Sequence, residues 1–517
     1  MKKSIITKWL LGAAILVAPA CTNLDENVYD TIPSSDFGKT QAQINSIIAP
    51  IYSELKGFWQ GDFFCAVEEA SDMAITPTRV GGDWWDGGYH MEMKLRTWNA
   101  MTSLTRSGWN KFMSGIATCN MVHHMISINE NMSEAEKAAV FAEIRGVRAF
   151  WVYNLVDNFG SAPLVTDFGS TELPGMQTRE YLFNFVVTEL NEIMNDLSEK
   201  NSSNYGKFTK GAAYTVLAKM YLNAEEWIGK KMYTEAIEAC DKVMAMDYAL
   251  EPDWKTNFQV ANEISGEAIL SVPYSATVGG NNMHNRTLHY KDPIALGFSR
   301  GTWNGISANP DYVKEFDTED PRYEGSFLIG PMIDPSTGKV IVTDHGRDLI
   351  HTIDFNMMNT DKDSYKNTGW GEVQQEEGAR CNKWTFEAGM NNTSMENDYH
   401  IFRLADIYLM KAEAIVRNGG DNATATNLVN AVRSRAYGHA NKNYASVDLD
   451  KIYKERRFEF AWEMFSRQDM IRFGKFLEPG YLLPNPSPAH LKLFPVPYAA
   501  WQSNNNLVQN PGYDSFK

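Results

Sequence analysis

The chain lacks an excess of positive charge, a dense cysteine framework and any apolar run long enough to cross a bilayer. Lysine and arginine number 48 against 64 acidic residues, for a net charge of −16. That balance excludes the electrostatic footprint by which proteins hold nucleic acid or an anionic membrane surface, so no nucleic-acid partner is expected. Only 5 of 517 residues are cysteine. Cys119 and Cys240 fall in helical patterns and are expected to pack as small apolar groups, so no disulfide framework is predicted. Histidines are few, and His123 and His124, being adjacent, point to different sides of a helix, whereas metal pairs on helices prefer a spacing of about four. His284 and His289 lie in a polar loop, where solvated or ligand-contacting roles outrank metal binding. A glycine-rich phosphate loop, a Gly-x-Ser-x-Gly elbow and zinc-ligand spacing are all missing. No cofactor, no metal and no catalytic residue is therefore predicted.

The longest apolar stretch near the N-terminus, Trp9 to Val17, is about half of the roughly 20 residues a spanning helix needs. Lys2, Lys3 and Lys8 precede it, and Ala18-Pro19-Ala20 lead into Cys21. This order of charge, short apolar run and small residues reads as a signal peptide over residues 1–20. A cysteine at the cleavage point suggests a lipoprotein acylated at Cys21, held by several chains at roughly 0.8 kcal/mol per buried methylene. Ala18 stands where such signals usually carry Leu, and an ordinary cleaved signal is the alternative. Asp25 and Glu26 resemble the acidic pair that directs Bacteroidetes-type lipoproteins to the outer face of the outer membrane.

What remains is rich in core-forming residues: 44% are hydrophobic, with 14 Trp, 23 Tyr and 26 Phe, enough for one large core or two linked ones. Helices dominate the pattern. Ser133 with Glu136 is a capping box, and Val140, Ile144, Val147, Trp151 and Leu155 recur at helical spacing until Gly160 and Pro163. Leu182 to Leu197 repeats the pattern. In residues 209–246, Leu217, Ala218 and Tyr221 followed by Tyr233, Ala236 and Ile237 stand at tetratricopeptide-like offsets, with a turn about six residues too long; a plain helical hairpin is the alternative. Arg403 to Arg417, a stop at Asn418-Gly419-Gly420-Asp421, and Leu428, Val429 and Val432 give a further hairpin. The predicted fold is mainly α: tetratricopeptide-like helical pairs forming a wall, with a loop-rich mixed α/β binding face. Its parts are about 21–250, a loop-rich 251–400 and a helical 401–517.

Segments 57–110 and 250–400 are expected to pack together over that wall and form the binding face. Thr76-Pro-Thr-Arg79-Val-Gly-Gly-Asp83-Trp84-Trp85-Asp86-Gly-Gly-Tyr89 supplies aromatic platforms beside Arg and Asp, the combination that holds the C–H faces and hydroxyls of a sugar. Trp109 and Trp151 lie on helical patterns and are assigned to the core; Trp370 is a weaker site candidate. Glu459, Glu463 and Arg467 would share one face of a helix, with Glu463 and Arg467 paired. That reads as scaffold electrostatics rather than as a glycosidase carboxylate pair.

Several motifs resemble the SusD/RagB family. Arg145-Gly-Val-Arg148-Ala-Phe-Trp-Val-Tyr153, leading to Phe159-Gly160-Ser-Ala-Pro163-Leu, resembles its Arg-Ala-aromatic helix and Phe-Gly-x-x-Pro-Leu turn. Arg403 to Ala414, Asn430-x-Val-Arg433, Glu455 to Gly474, Phe494-Pro-Val-Pro497 and Gln509-Asn-Pro-Gly-Tyr513 follow in the family's order. The Arg79–Gly88 stretch is similar to that of glycan-binding members, departing by one inserted residue, Val80.

The resemblance implies a lipid-anchored outer-membrane protein that faces the cell surface, captures an oligosaccharide or polysaccharide and passes it to a SusC-like TonB-dependent transporter without chemistry. It also implies a site that includes Arg79, Trp98, Asn99 and Trp303. The same fold binding a peptide or another nutrient, and an exported hydrolase, are the alternatives.

Overall fold

The structure is a computed structural model that describes residues 38–516, apart from Val278, Arg300, 357–370 and 391–393. Residues 1–20, read above as a signal peptide, and Cys21, Asp25, Glu26 and Trp370 lie outside the described residues. Among those described, no helix is long and apolar enough to cross a membrane.

Helices carry most of the regular structure. The N-terminal part runs α1 (Gln41–Gln60), α2 (Asp62–Ala70), α3 (Ser103–Ser127), α4 (Glu134–Asn158) and α5 (Arg179–Ile193). Ser133 caps α4 through the capping box with Glu136, and each closes one of the backbone amides that a helix start leaves open. Close packing of α3 on α4 needs Gly115, because a Cβ there would lie 2.4 Å from the buried Trp151 ring. Trp109 and Trp151 are both in the core, as their spacing predicted. His123 and His124 indeed diverge, stacking on Phe141 and Phe168.

The tetratricopeptide-like pair is α6 (Lys210–Ile228) and α7 (Tyr233–Met244). The residues that made the turn look too long are helical: α6 continues to Ile228, and Gly229, in the left-handed region at φ 69°, ends it. The second pair is α8 (Leu404–Arg417) and α9 (Asn422–Tyr437), with Asp421 capping α9 as its position predicted. α7 packs on α8, so pairs separated by some 160 residues of sequence stack as neighbours in one wall.

The intervening segment leaves and re-enters that wall at one place. β2 (Ala268–Val272) pairs antiparallel with β4 (Tyr399–Arg403), and both strands are fully buried. Two further short strands, β1 (Ala74–Ile75) and β3 (Ser307–Ala308), pair antiparallel and join the N-terminal loop to the middle of the chain. The two loop-rich segments therefore pack together.

The expected helix through Glu459, Glu463 and Arg467 is broken. α10 (Leu449–Phe460) stops, Trp462 and Met464 take positive φ, and α11 (Ser466–Arg472) starts anew. Glu463 pairs with Arg403 (2.8 Å) and Lys383, not with Arg467, and Glu459 pairs with Arg322 (2.9 Å), Arg403 and Arg435. Arg467 donates to Asn158 Oδ1 and the Lys492 carbonyl instead. Trp462, completely buried, occupies the break, so burial of one large ring overrides continuation of the helix.

Four cysteines, Cys65, Cys119, Cys240 and Cys381, are free and buried. They are small core groups, and burial pushes each thiol above its ordinary range.

Candidate glycan-binding site

The loop after β1 is organised around one buried arginine. Arg79 has no solvent exposure. Its Nε donates to the carbonyl of Asn304 (2.5 Å), Nη2 to the carbonyl of Gly305 (3.1 Å) and to Ser307 Oγ (3.0 Å), and Nη1 to the carbonyls of Gln374, Gln375 and Glu377 (3.0–3.1 Å). Three segments far apart in sequence are thus tied by one guanidinium. Burial, reinforced by neighbouring Arg380, pushes Arg79 well below its usual range. The expectation that Arg79 bonds sugar hydroxyls is corrected here: its donors are aimed at backbone, because loops without ladders leave carbonyls that only a side chain can satisfy.

Arg79 holds in place a shelf built from two loops. Trp84, at φ 58°, turns its indole across Gly305, where a Cβ would lie 2.5 Å from the ring, and its Nε1 donates to the carbonyl of Trp303. Only a glycine at 305 allows that approach. Trp303 itself is 42% exposed, and its backbone amide is fixed by the carbonyl of Asn285 at 2.6 Å. Tyr290, 38% exposed, donates its hydroxyl to Asp83 Oδ2. Trp85 is half-buried over Gly88. The loops that carry Asp83, Trp84 and Trp303 therefore meet, with Trp85 turned onto Gly88, and Tyr290 joins them without having been singled out by sequence. Its only signal was a place beside His289 in the polar loop.

The remaining proposed residues lie elsewhere. Trp98 is 3% exposed, donates from Nε1 to the Tyr513 hydroxyl at 2.7 Å and meets Phe494 edge to face. It locks the C-terminal segment into the core and offers no face to a ligand. Asn99 is exposed, but its side chain accepts from the amide of Met101, stabilising a local turn beside Ala100, whose carbonyl accepts from Tyr498. His284 and His289 are buried rather than solvated, and desolvation lowers them to about 4 and about 3. They stay neutral at physiological pH.

Beneath the shelf, Cys65, Glu69 and His90 place ligand-type atoms within 4.8 Å of one another. Each is already engaged: Glu69 accepts from Thr76 Oγ1 (2.5 Å) and faces His90 Nδ1 (2.9 Å), and Cys65 Sγ faces Arg286 Nη1 (3.5 Å). The guanidinium at the sulfur opposes a cation there. The trio acts as a support, with the His90 ring 5.6 Å from that of Trp84.

Comparison with known proteins agrees with this architecture. The profile of the SusD family matches residues 266–490, and that described as starch-binding associating with outer membrane matches residues 24–222. The chain belongs to the SusD-like family. It is 29% identical to the starch-binding protein SusD of Bacteroides thetaiotaomicron over 74% of each chain. It is 23% identical to the SusD-like protein P25 of Formosa agariphila over 95% of this chain and 96% of that one. Among solved structures, a laminarin-binding SusD-like protein superposes with a TM-score of 0.73 at 22% identity, covering 92% of this chain and 100% of that chain. Surface glycan-binding protein A of Bacteroides thetaiotaomicron in complex with laminarihexaose gives 0.71 at 19%, covering 91% and 99%. These likenesses establish the mainly α fold.

Proposed function

We propose that this chain is a glycan-binding lipoprotein of the outer membrane, anchored through Cys21 and facing the cell surface, that captures an oligosaccharide or polysaccharide and delivers it to a SusC-like TonB-dependent transporter. The observation that carries the binding reading is the exposed Trp303 indole, on backbone tied to the Trp84 indole and the Asn285 carbonyl, with the Tyr290–Asp83 pair on the same two loops. An aromatic plane of this kind takes the C–H face of a sugar ring, and fixed oxygens at its edge take hydroxyls. The relatives named above include a starch-binding and a laminarin-binding protein, which supports a glycan as the ligand.

A non-catalytic role is supported by the carboxylates themselves. Glu459 and Glu463 are fully buried and held by arginines, a geometry that cannot flank a glycosidic bond across an open cleft. The test is a Trp303→Ala variant on affinity gels containing a panel of polysaccharides. Loss of binding by more than tenfold, about 1.4 kcal/mol, with a melting temperature within about two degrees of wild type is the expected outcome. Undiminished retention on every gel that retains the wild type would remove the shelf as the site, and product released from a gel would replace capture with hydrolysis.

A further inference from the structure

Residues 330–351 form short antiparallel pairings that are apolar on both sides. Ile350 stands opposite Pro331, Ile333 opposite Val340 and Val342 opposite Asp348. Successive residues of a strand point to opposite sides, so the inner side carries Met332, Ile341 and Leu349, which are buried together against Ala295, Leu296 and Leu328. The outer side carries Pro331, Ile333, Val340, Val342, Asp348 and Ile350. An antiparallel sheet with one side in water normally alternates apolar with polar residues. Here Asp348 is the one polar residue of the outer side, and Ile333, Val342 and Ile350 are 41%, 49% and 38% exposed.

This outer side is tied to the aromatic shelf. Lys291 follows Tyr290 in the chain, and its ammonium donates to the carbonyl of Val342 at 2.9 Å and pairs with Asp344 at 2.6 Å. In the short helix Asp292–Leu296 that comes next, Asp292 faces His351 at 2.9 Å, fixing the helix to the sheet, and Ile294 is 48% exposed. Lys339, Asp344, Arg347 and Asp348, charges of both signs, are exposed on the same strands and turns.

Branched aliphatic side chains lack the π face that takes a sugar ring, so the outer side does not extend the glycan platform. Apolar side chains set among mixed charges are the make-up of a protein contact. So few side chains fall far below the roughly 20–30 residues a side of a stable interface, and they cannot by themselves hold two freely diffusing chains together, a second copy included. The surface suits a partner already kept alongside in the same membrane. We infer that the outer side of the 330–351 sheet docks the transporter, which thereby sits against the Tyr290 end of the shelf from which the glycan is passed on. The inference rests on the capture-and-delivery reading above and adds the surface through which delivery is made.

The experiment places the photo-crosslinking residue p-benzoylphenylalanine at Val342 or at Ile350 of the full-length protein in the outer membrane of its own cell. Ile264, 76% exposed and in another part of the chain, is the control position. Adducts are identified by peptide mass spectrometry, and retention on the polysaccharide gels shows that each variant is folded. A TonB-dependent barrel linked at Val342 and Ile350 and not at Ile264 is the expected result. Ile333→Lys combined with Val342→Lys should lower the transporter recovered with the protein at least tenfold and leave retention on the gels unchanged. An adduct with a second copy of the chain, no adduct in a folded variant, the same barrel linked at Ile264, or full recovery with the double variant would overturn the docking surface. Loss of gel retention in a folded double variant would give the outer side to the glycan and overturn it too. The capture reading fails separately, on a Trp303→Ala variant that every gel still retains, whether or not the barrel is linked at Val342.

Discussion

Replacing Arg79 by alanine separates a residue that holds the binding loop from one that touches ligand. The guanidinium serves five carbonyls and one hydroxyl, and the carbonyls of Asn304, Gly305 and Glu377 take it as their hydrogen-bond partner. Each buried carbonyl left without a donor costs about 1–3 kcal/mol, less whatever water entering the cavity restores. A loss of about 4 kcal/mol is therefore expected, at the upper end of single substitutions. Arg79→Lys should fall between, since an ammonium can reach some but not all of the acceptors. Urea unfolding gives the stability, and titration with a retained oligosaccharide at a temperature where the variant is folded gives the affinity. A variant that melts within a degree or two of wild type yet no longer binds would refute this reasoning and return the guanidinium to the ligand.

Trp98→Ala should destabilise by about 3–5 kcal/mol, as a core aromatic truncation does, and Tyr513→Phe should cost less, since it keeps the ring and loses only the hydroxyl's bonds to the Trp98 indole and the Leu493 carbonyl; thermal melts decide both. Desolvation, with Arg403 adding to it, lowers His400 to about 3, so the neutral ring contributes stability that is full above pH 6.5 and lost as pH falls toward 3. His400→Gln should flatten that acid limb, by about 1 kcal/mol per pH unit of the window, in urea melts between pH 7 and 4; an unchanged slope would assign the acid sensitivity elsewhere. Cys21→Ser should abolish incorporation of a fatty-acid analogue and free the protein from the outer membrane or leave its signal uncleaved, and persistent labelling would exclude the thioether anchor.

The parts legible before folding are those whose causes lie within a turn or two of chain. The Ser133 capping box, the Asp421 cap after two glycines and the α6–α7 pair depend on groups three or four residues apart, and each stands where its pattern put it. Loops with no such local partner are satisfied by groups that arrive from distant parts of the chain. Arg79 and Trp84 sit in one polar, glycine-rich stretch, yet acceptors 225 to 298 residues away bury the guanidinium, while Gly305 lets the indole lie across the chain beside the exposed Trp303. Trp98 reads as the same kind of residue and is taken into the core by Tyr513, from 415 residues away. The helix predicted through Glu463 fails for the same reason: burial of Trp462 and a bond to Arg403, 60 residues back, outweigh one more turn of backbone hydrogen bonds. Periodicity and capping are local energies, written in neighbouring residues. Which charge is buried, and which ring is left to meet a sugar, depends on acceptors and surfaces that exist only once distant segments have been brought together.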